Sequence, residues 1–121
     1  MIGIGTDLVE LERFRLALTR TPSLVDRLFT AGEQGYAHER TDPTERLAVR
    51  FAAKEAVLKA LGVGLWAFPL REIEVVRAES GQPSLVLHGK AAALAQECGV
   101  TEWRLTMTHT EHFAQAFAVA L

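Results

Sequence analysis

Cysteine is nearly absent. The single Cys98 in 121 residues excludes an intramolecular disulfide and any cysteine-built zinc centre within one chain. Long apolar runs are missing as well, since none approaches the roughly 20 residues that a membrane-spanning helix needs. There is no basic excess: 13 Lys and Arg against 15 Asp and Glu leave a net charge of −2, the wrong sign for a general nucleic-acid binder. Met1-Ile2-Gly3-Ile4-Gly5 is too short for a secretory leader and lacks its basic start, so the expected compartment is the cytoplasm. Repeats, low-complexity tracts and dividing linkers are also lacking. What remains, 49% apolar and 23% charged, is the composition of a soluble globular protein, expected as one domain over residues 1–121.

Motifs with a known mechanical signature are equally scarce. Gly3-Ile4-Gly5-Thr6-Asp7 starts like a dinucleotide fingerprint, but no third glycine and no βαβ pattern follow. The Gly-Lys-Ser/Thr phosphate loop and the Gly-x-Ser-x-Gly elbow are absent. His109 and His112 are three apart with no glutamate completing a helical zinc motif, and Cys98 has no evident base beside it.

Ile2 and Ile4 alternate with Gly3 and Gly5, the pattern of a short strand closely approached by other backbone. Thr6 or Asp7 at its end can cap a helix with Leu8, Leu11, Phe14 and Leu18 on the buried side. For Asp7 the local pattern favours capping over metal binding. The outer side of this helix carries Arg13, Arg15 and Arg20, which suit either a solvated face with Glu10 and Glu12 or a docking surface for an acidic partner. A short helix over residues 23–29 follows. Thr30-Ala31-Gly32-Glu33 then has capping-box spacing, and Asp42-Pro43-Thr44-Glu45 repeats it with proline in the first turn. The helix launched there runs to Leu61.

Beyond that helix, Leu65-Trp66-Ala67-Phe68-Pro69 reads as an apolar connector whose aromatics suit a core or a subunit contact. Residues 73–76 and 84–88, joined by Glu79-Ser80-Gly81-Gln82-Pro83, form a hairpin. Residues 90–98 make an alanine-rich helix closed by Gly99. Trp103, Leu105 and Met107 alternate with polar residues as a half-buried strand, and residues 114–121 form a last one after a polar turn. Helices in the first half and strands in the second describe an α+β fold, with helices packed on a small, mainly antiparallel sheet.

The most informative stretch is Arg50-Phe51-Ala52-Ala53-Lys54-Glu55-Ala56-Val57-Leu58-Lys59-Ala60-Leu61-Gly62. Its residues are strong helix formers, Gly62 suits a left-handed stop, and Leu47, Phe51, Leu58 and Leu61 lay down an apolar stripe. Glu55 and Lys59 lie one turn apart on one face. They fit a surface ion pair worth roughly 0.2–0.5 kcal/mol, and equally a metal ligand beside a phosphate clamp. The helix alone favours the surface pair.

Three segments in register change that balance. Gly3-Ile4-Gly5-Thr6-Asp7-Leu8-Val9-Glu10-Leu11-Glu12-Arg13 resembles the amino-terminal signature of the holo-acyl-carrier-protein synthases. Arg50-Phe51-Ala52-Ala53-Lys54-Glu55-Ala56, followed by Lys59-Ala60, resembles their central one, and Thr108-His109-Thr110 before Phe113-Ala114 and Ala116 their carboxyl-terminal one. The resemblance covers essentially the whole chain. It implies the 4′-phosphopantetheinyl transferase fold and transfer of the phosphopantetheine arm of coenzyme A to a serine of apo acyl carrier protein, releasing 3′,5′-ADP, with Mg²⁺ as cofactor and a role in fatty acid biosynthesis.

By the same resemblance Asp7 and Glu55 are metal ligands and Lys59 faces the pyrophosphate. His109, Thr110 and Arg50 contact the nucleotide, and Gly62 and Gly64 let backbone come near the adenine. Arg13, Arg15 and Arg20 dock the acidic carrier protein. The short members form trimers with sites between subunits, which implies Asp7 from one subunit and the helix of Glu55 from its neighbour. Ala52, Ala53 and Ala56 are then expected to be small so that a neighbour and ligand can approach. Val63, the turn Glu79-Ser80-Gly81-Gln82-Pro83 and the end at Leu121 depart from the common pattern and leave carrier and coenzyme A preference open. The alternative is a non-catalytic module that binds coenzyme A or an acidic protein, which has no need of two carboxylates beside its anion.

Overall fold

The computed structural model describes residues 1–121. In chain order the elements are β1 (Gly3–Glu10), α1 (Leu11–Arg20), α2 (Leu24–Leu28), α3 (Ala31–Ala37), α4 (Thr44–Leu61), a 3₁₀ turn (Leu70–Glu72), β2 (Ile73–Arg77), β3 (Pro83–Leu87), α5 (Gly89–Glu97), β4 (Trp103–His109) and β5 (Phe113–Ala120). β1, β5 and β4 form an antiparallel sheet with β5 in the middle, while β2 and β3 make a separate hairpin. No helix is long and apolar enough to cross a membrane.

The sheet closes on α4, whose 18 residues span about 27 Å. Alternation along β5 turns Ala114, Ala116, Ala118 and Ala120 inward, all buried. On β1 the inward set begins with Gly3 and Gly5. A Cβ on Gly5 would lie 1.9 Å from the carbonyl oxygen of Ala56, and one on Gly3 would lie 2.0 Å from that of Ala60. Both obstacles are backbone, which cannot swing aside. Gly5→Ala is therefore expected to cost about 3 kcal/mol or more, visible as a lower urea midpoint at unchanged slope.

Ala52, Ala53 and Ala56 are fully buried inside this one chain. This corrects the expectation that they are small to admit a neighbour or a ligand. They are small because the chain's own elements close over them, with β1 lying directly on the Ala56 backbone. The start of α1 is a second correction. Thr6 and Asp7 cap no helix, because β1 continues to Glu10 in unbroken register with β5, pairing Thr6 with Phe117 and Glu10 with Phe113. Strand pairing satisfies every second backbone group there, and it overrides a helical spacing that began at Leu8. Leu8 is 59% exposed.

The other caps form nearly where their spacing puts them. Thr30 and Glu33 make a reciprocal capping box on α3. Asp42 accepts the Thr44 N–H at 3.0 Å, although Pro43 holds the N-cap place of α4. Gly62 ends α4 at φ +73°. The aromatic connector divides: Phe68 is buried, whereas Trp66 is 90% exposed.

Lys54 ties this framework together. Its side chain is fully buried on α4, and its Nζ donates to Glu33 Oε1 at 2.8 Å, to the Leu70 carbonyl at 3.1 Å and to the Ile73 carbonyl. The same Glu33 accepts the N–H of Thr30 and, at 2.9 Å, that of Val75. One buried ion pair thus joins α3, α4, the 3₁₀ turn and β2.

Candidate active site

Polar side chains gather on two flanks of α4. On the β1 flank, strand alternation places Asp7 level with Ala116 and over the second half of α4. Lys59 Nζ donates to Asp7 Oδ1 at 3.2 Å and to the Thr6 carbonyl at 2.8 Å. Glu55, one turn earlier, is half-buried. Burial chiefly, and the negative charge of Asp7 next, push its carboxyl above the usual range, while Lys59 pulls it back. Asp7 and Glu55 therefore meet within one chain, which corrects the implied arrangement of one from each subunit. The cause is the length of β1: because it runs on past Asp7, it carries that side chain onto its own α4.

Asp7, bonded to Lys59, and Glu55, whose charge responds to both, form an oxygen donor set of net negative charge. No third His, Cys, Asp or Glu joins them. Such a pair fits a hard cation like Mg²⁺, which takes one or two carboxylates and completes its shell with phosphate and water. Beside the pair opens a mainly apolar groove of about 680 Å³, lined by Phe14, Leu18, Leu28 and Phe51, with Arg13 on its wall. Arg20 is exposed on the same helix. Arg15 is not on that side: it is held by Glu12 and, at 2.8 Å, by Asp42. Hydrogen bonds from Thr44, and then from Arg15, hold the Asp42 carboxyl down at about 2.

On the β4 flank a cleft of about 370 Å³ is lined by Tyr36, Arg40, Glu45, Arg46, Arg50, Arg77 and His109. His109 Nδ1 lies 3.3 Å from Glu45 Oε2. Thr110 accepts the N–H groups of His112 and Phe113 through its hydroxyl oxygen, leaving its own proton to donate. Arg50 is 3% exposed, burial pushes its guanidinium down from its usual range, and its Nε has no partner. Four guanidinium groups and one carboxylate line this cleft, an excess of positive charge that suits an anion.

The structure thus brings together Asp7, Glu55 and Lys59, and separately Arg50 and His109. Gly62 and Gly64 lie past Lys59, at the opposite end of α4 from Arg46. Sequence reading missed Arg46 and Arg77. The first has a legible signal, a basic pair four apart with Arg50. The second is brought in by the hairpin, which no local pattern places.

A family model described as the 4′-phosphopantetheinyl transferase superfamily matches residues 3–119. The chain belongs to this superfamily. It is a 4′-phosphopantetheinyl transferase by that membership and by its relatives. The holo-[acyl-carrier-protein] synthase of Caldanaerobacter subterraneus is 39% identical to this transferase over 120 residues, covering 99% of this chain and 94% of the relative. The fold agrees. The crystal structure of the holo-[acyl-carrier-protein] synthase from Neisseria meningitidis superposes with a TM-score of 0.91 at 32% identity, covering 100% of this chain and 98% of that one. A synthase from Bacillus anthracis, solved in complex with CoA (3′,5′-ADP), matches with a TM-score of 0.81 at 31% identity, covering 98% and 95%.

Proposed function

We propose that this transferase moves the 4′-phosphopantetheine arm of coenzyme A to a serine hydroxyl of apo acyl carrier protein, releasing 3′,5′-ADP. On this reading the reaction requires Mg²⁺, supports fatty acid biosynthesis, and is the work of one domain over residues 1–121. The observation that carries it is the meeting of Asp7, Glu55 and Lys59 over one helix.

Asp7 and Glu55 would hold Mg²⁺, which when bound draws negative charge off the pyrophosphate. Lys59 adds a positive charge to the same oxygens, stabilising charge as it moves to the leaving group. In the transfer, the serine oxygen bonds to the phosphorus that bears pantetheine. That phosphorus releases its bridging oxygen, whose electron pair departs with 3′,5′-ADP. The serine proton leaves to a nearby base, a water at the site or a carboxylate such as Glu55. Arg50, His109 and Thr110 hold the 3′-phosphoribosyl end, joined by Arg46 and Arg77. Gly62 leaves bare backbone beyond Lys59 for the nucleotide to cross, while Gly64 lies under the Trp66 ring. Arg13 and Arg20, seven residues apart and so on one face of α1, meet the acidic carrier protein, while the bond of Arg15 to Asp42 turns it from that face.

A homotrimer completes this site. The carboxylate groove and the arginine cleft of one chain share no lining residue, so one nucleotide bridges them most directly between subunits. The sheet face turned away from α4 supports association, since Ile4, Leu8, Phe113 and Phe117 are 53%, 59%, 41% and 41% exposed on it.

The test is a mass measurement. Apo carrier protein incubated with this enzyme, coenzyme A and Mg²⁺ is expected to gain one phosphopantetheine group, and to gain none with a chelator added. An unchanged carrier mass in the presence of Mg²⁺ would sink the reading, and light scattering at the mass of one chain would sink the shared site.

A further inference from the structure

Tyr36, on α3, sits where three cations converge. The guanidinium carbons of Arg46, Arg50 and Arg77 lie 3.8, 4.4 and 4.7 Å from its ring centroid. All are within the roughly 6 Å over which the negative face of an aromatic ring attracts a cation. The residue also bonds two of them directly. Its carbonyl accepts from Arg46 at 2.7 Å, and its hydroxyl accepts from Arg77.

Counter-charge is scarce around this cluster. Arg46 reaches the exposed Glu39 at 3.3 Å, but Arg50 and Arg77 have no carboxylate partner, and the Nε of buried Arg50 has no partner at all. Three like charges without that ring would repel one another, and the exposed Arg77 would turn out to solvent. With it, donors from α4 and β2 stay grouped on one wall of the cleft. Each guanidinium has five N–H donors, most of them unspent here. An incoming phosphate monoester then meets donors already in place, and little side-chain freedom is lost on binding.

We propose that Tyr36 is a positioning residue that sets the preference for a co-substrate carrying a 3′-phosphate, by gathering Arg46, Arg50 and Arg77 around its ring at the cleft. This rests on the reading that the cleft receives the nucleotide end of coenzyme A. Its consequence is selective: removing the ring weakens recognition of the 3′-phosphate and leaves the rest of the ligand unaffected.

The experiment compares Tyr36→Leu with the parent in two assays. In the first, arm transfer is followed with coenzyme A and with 3′-dephospho-coenzyme A. The variant is expected to lower kcat/KM for coenzyme A about tenfold, through KM, and to shrink the preference for coenzyme A by the same factor. In the second, calorimetric titration with adenosine 3′,5′-bisphosphate and with adenosine 5′-phosphate reads binding without catalysis, and only the bisphosphate is expected to weaken. Tyr36→Phe keeps the ring and restores most of the preference. Tyr36→Gln, which removes the ring with a polar chain, repeats the test if the leucine variant melts early. An equal fall for both ligands of each pair, or no fall for either, overturns the proposal. Failure of the parent to transfer the arm overturns the transferase reading instead, and the titration still decides the role of Tyr36.

Discussion

Asp7→Ala and Glu55→Ala each lower arm transfer by about a thousandfold or more, the scale of losing roughly 4 kcal/mol of charge stabilisation in the transition state. A rate near that of the parent in either variant would remove the carboxylate pair from the mechanism. Glu55→Gln separates this from a folding defect, because its effect on stability runs the other way. The folded pKa of Glu55 lies above its ordinary 4.5. The folded state therefore holds the proton more tightly, and stability falls as pH rises from 4.5 through that folded value. Above it the ionised carboxylate penalises the free protein in full; below 4.5 the penalty is gone. Glu55→Gln removes the penalty and so is expected to melt above the parent at neutral pH while transferring nothing. Mg²⁺ with adenosine 3′,5′-bisphosphate should raise the melting temperature of the parent and leave that of the variant nearly unmoved.

Lys54→Met is the second large effect, and it falls on stability. Breaking a fully buried ion pair by removing one member costs about 3–5 kcal/mol, because the other charge stays buried without its partner. Against a typical total of roughly 5–15 kcal/mol, that leaves the fold marginal. Glu33 would keep only the N–H groups of Thr30 and Val75, and the Leu70 and Ile73 carbonyls would lose their donor. The double variant Glu33→Gln, Lys54→Met is expected to recover part of the loss, since no unpaired charge remains. Urea unfolding measures both. A loss below about 1 kcal/mol for Lys54→Met would show that the buried pair is not the junction between α3, α4 and β2. Lys54 and Glu55 are thus neighbours with different duties: one anchors the helix inside the chain, the other faces the site.

Helix ends were legible because their causes are local. The Thr30–Glu33 capping box and the Gly62 stop each act within one turn of backbone, so a few letters suffice to place them. The same holds for the hairpin of β2 and β3, whose turn chemistry lies between its strands. Asp7 was not legible in this way. Its local pattern offered a helix cap, and three signatures in register were needed to suggest a metal ligand. Its place over α4 depends on β1 pairing with β5, which comes from the far end of the chain.

Ala52, Ala53 and Ala56 show the same limit from another side. Small residues on a helix announce that something approaches closely, but not what does. Only the bare backbone of Gly3 and Gly5 against Ala60 and Ala56 shows that it is the chain's own first strand. The sequence by itself therefore determined the element types and the family, because these rest on short-range propensity and on motifs. Tertiary structure alone decided that Asp7, Glu55 and Lys59 meet in one chain, that the arginines gather around Tyr36 on the opposite flank, and that Lys54 belongs to the core. Contacts between residues remote in sequence depend on strand register and on how closely backbones can approach, and neither is written in any local run of residues.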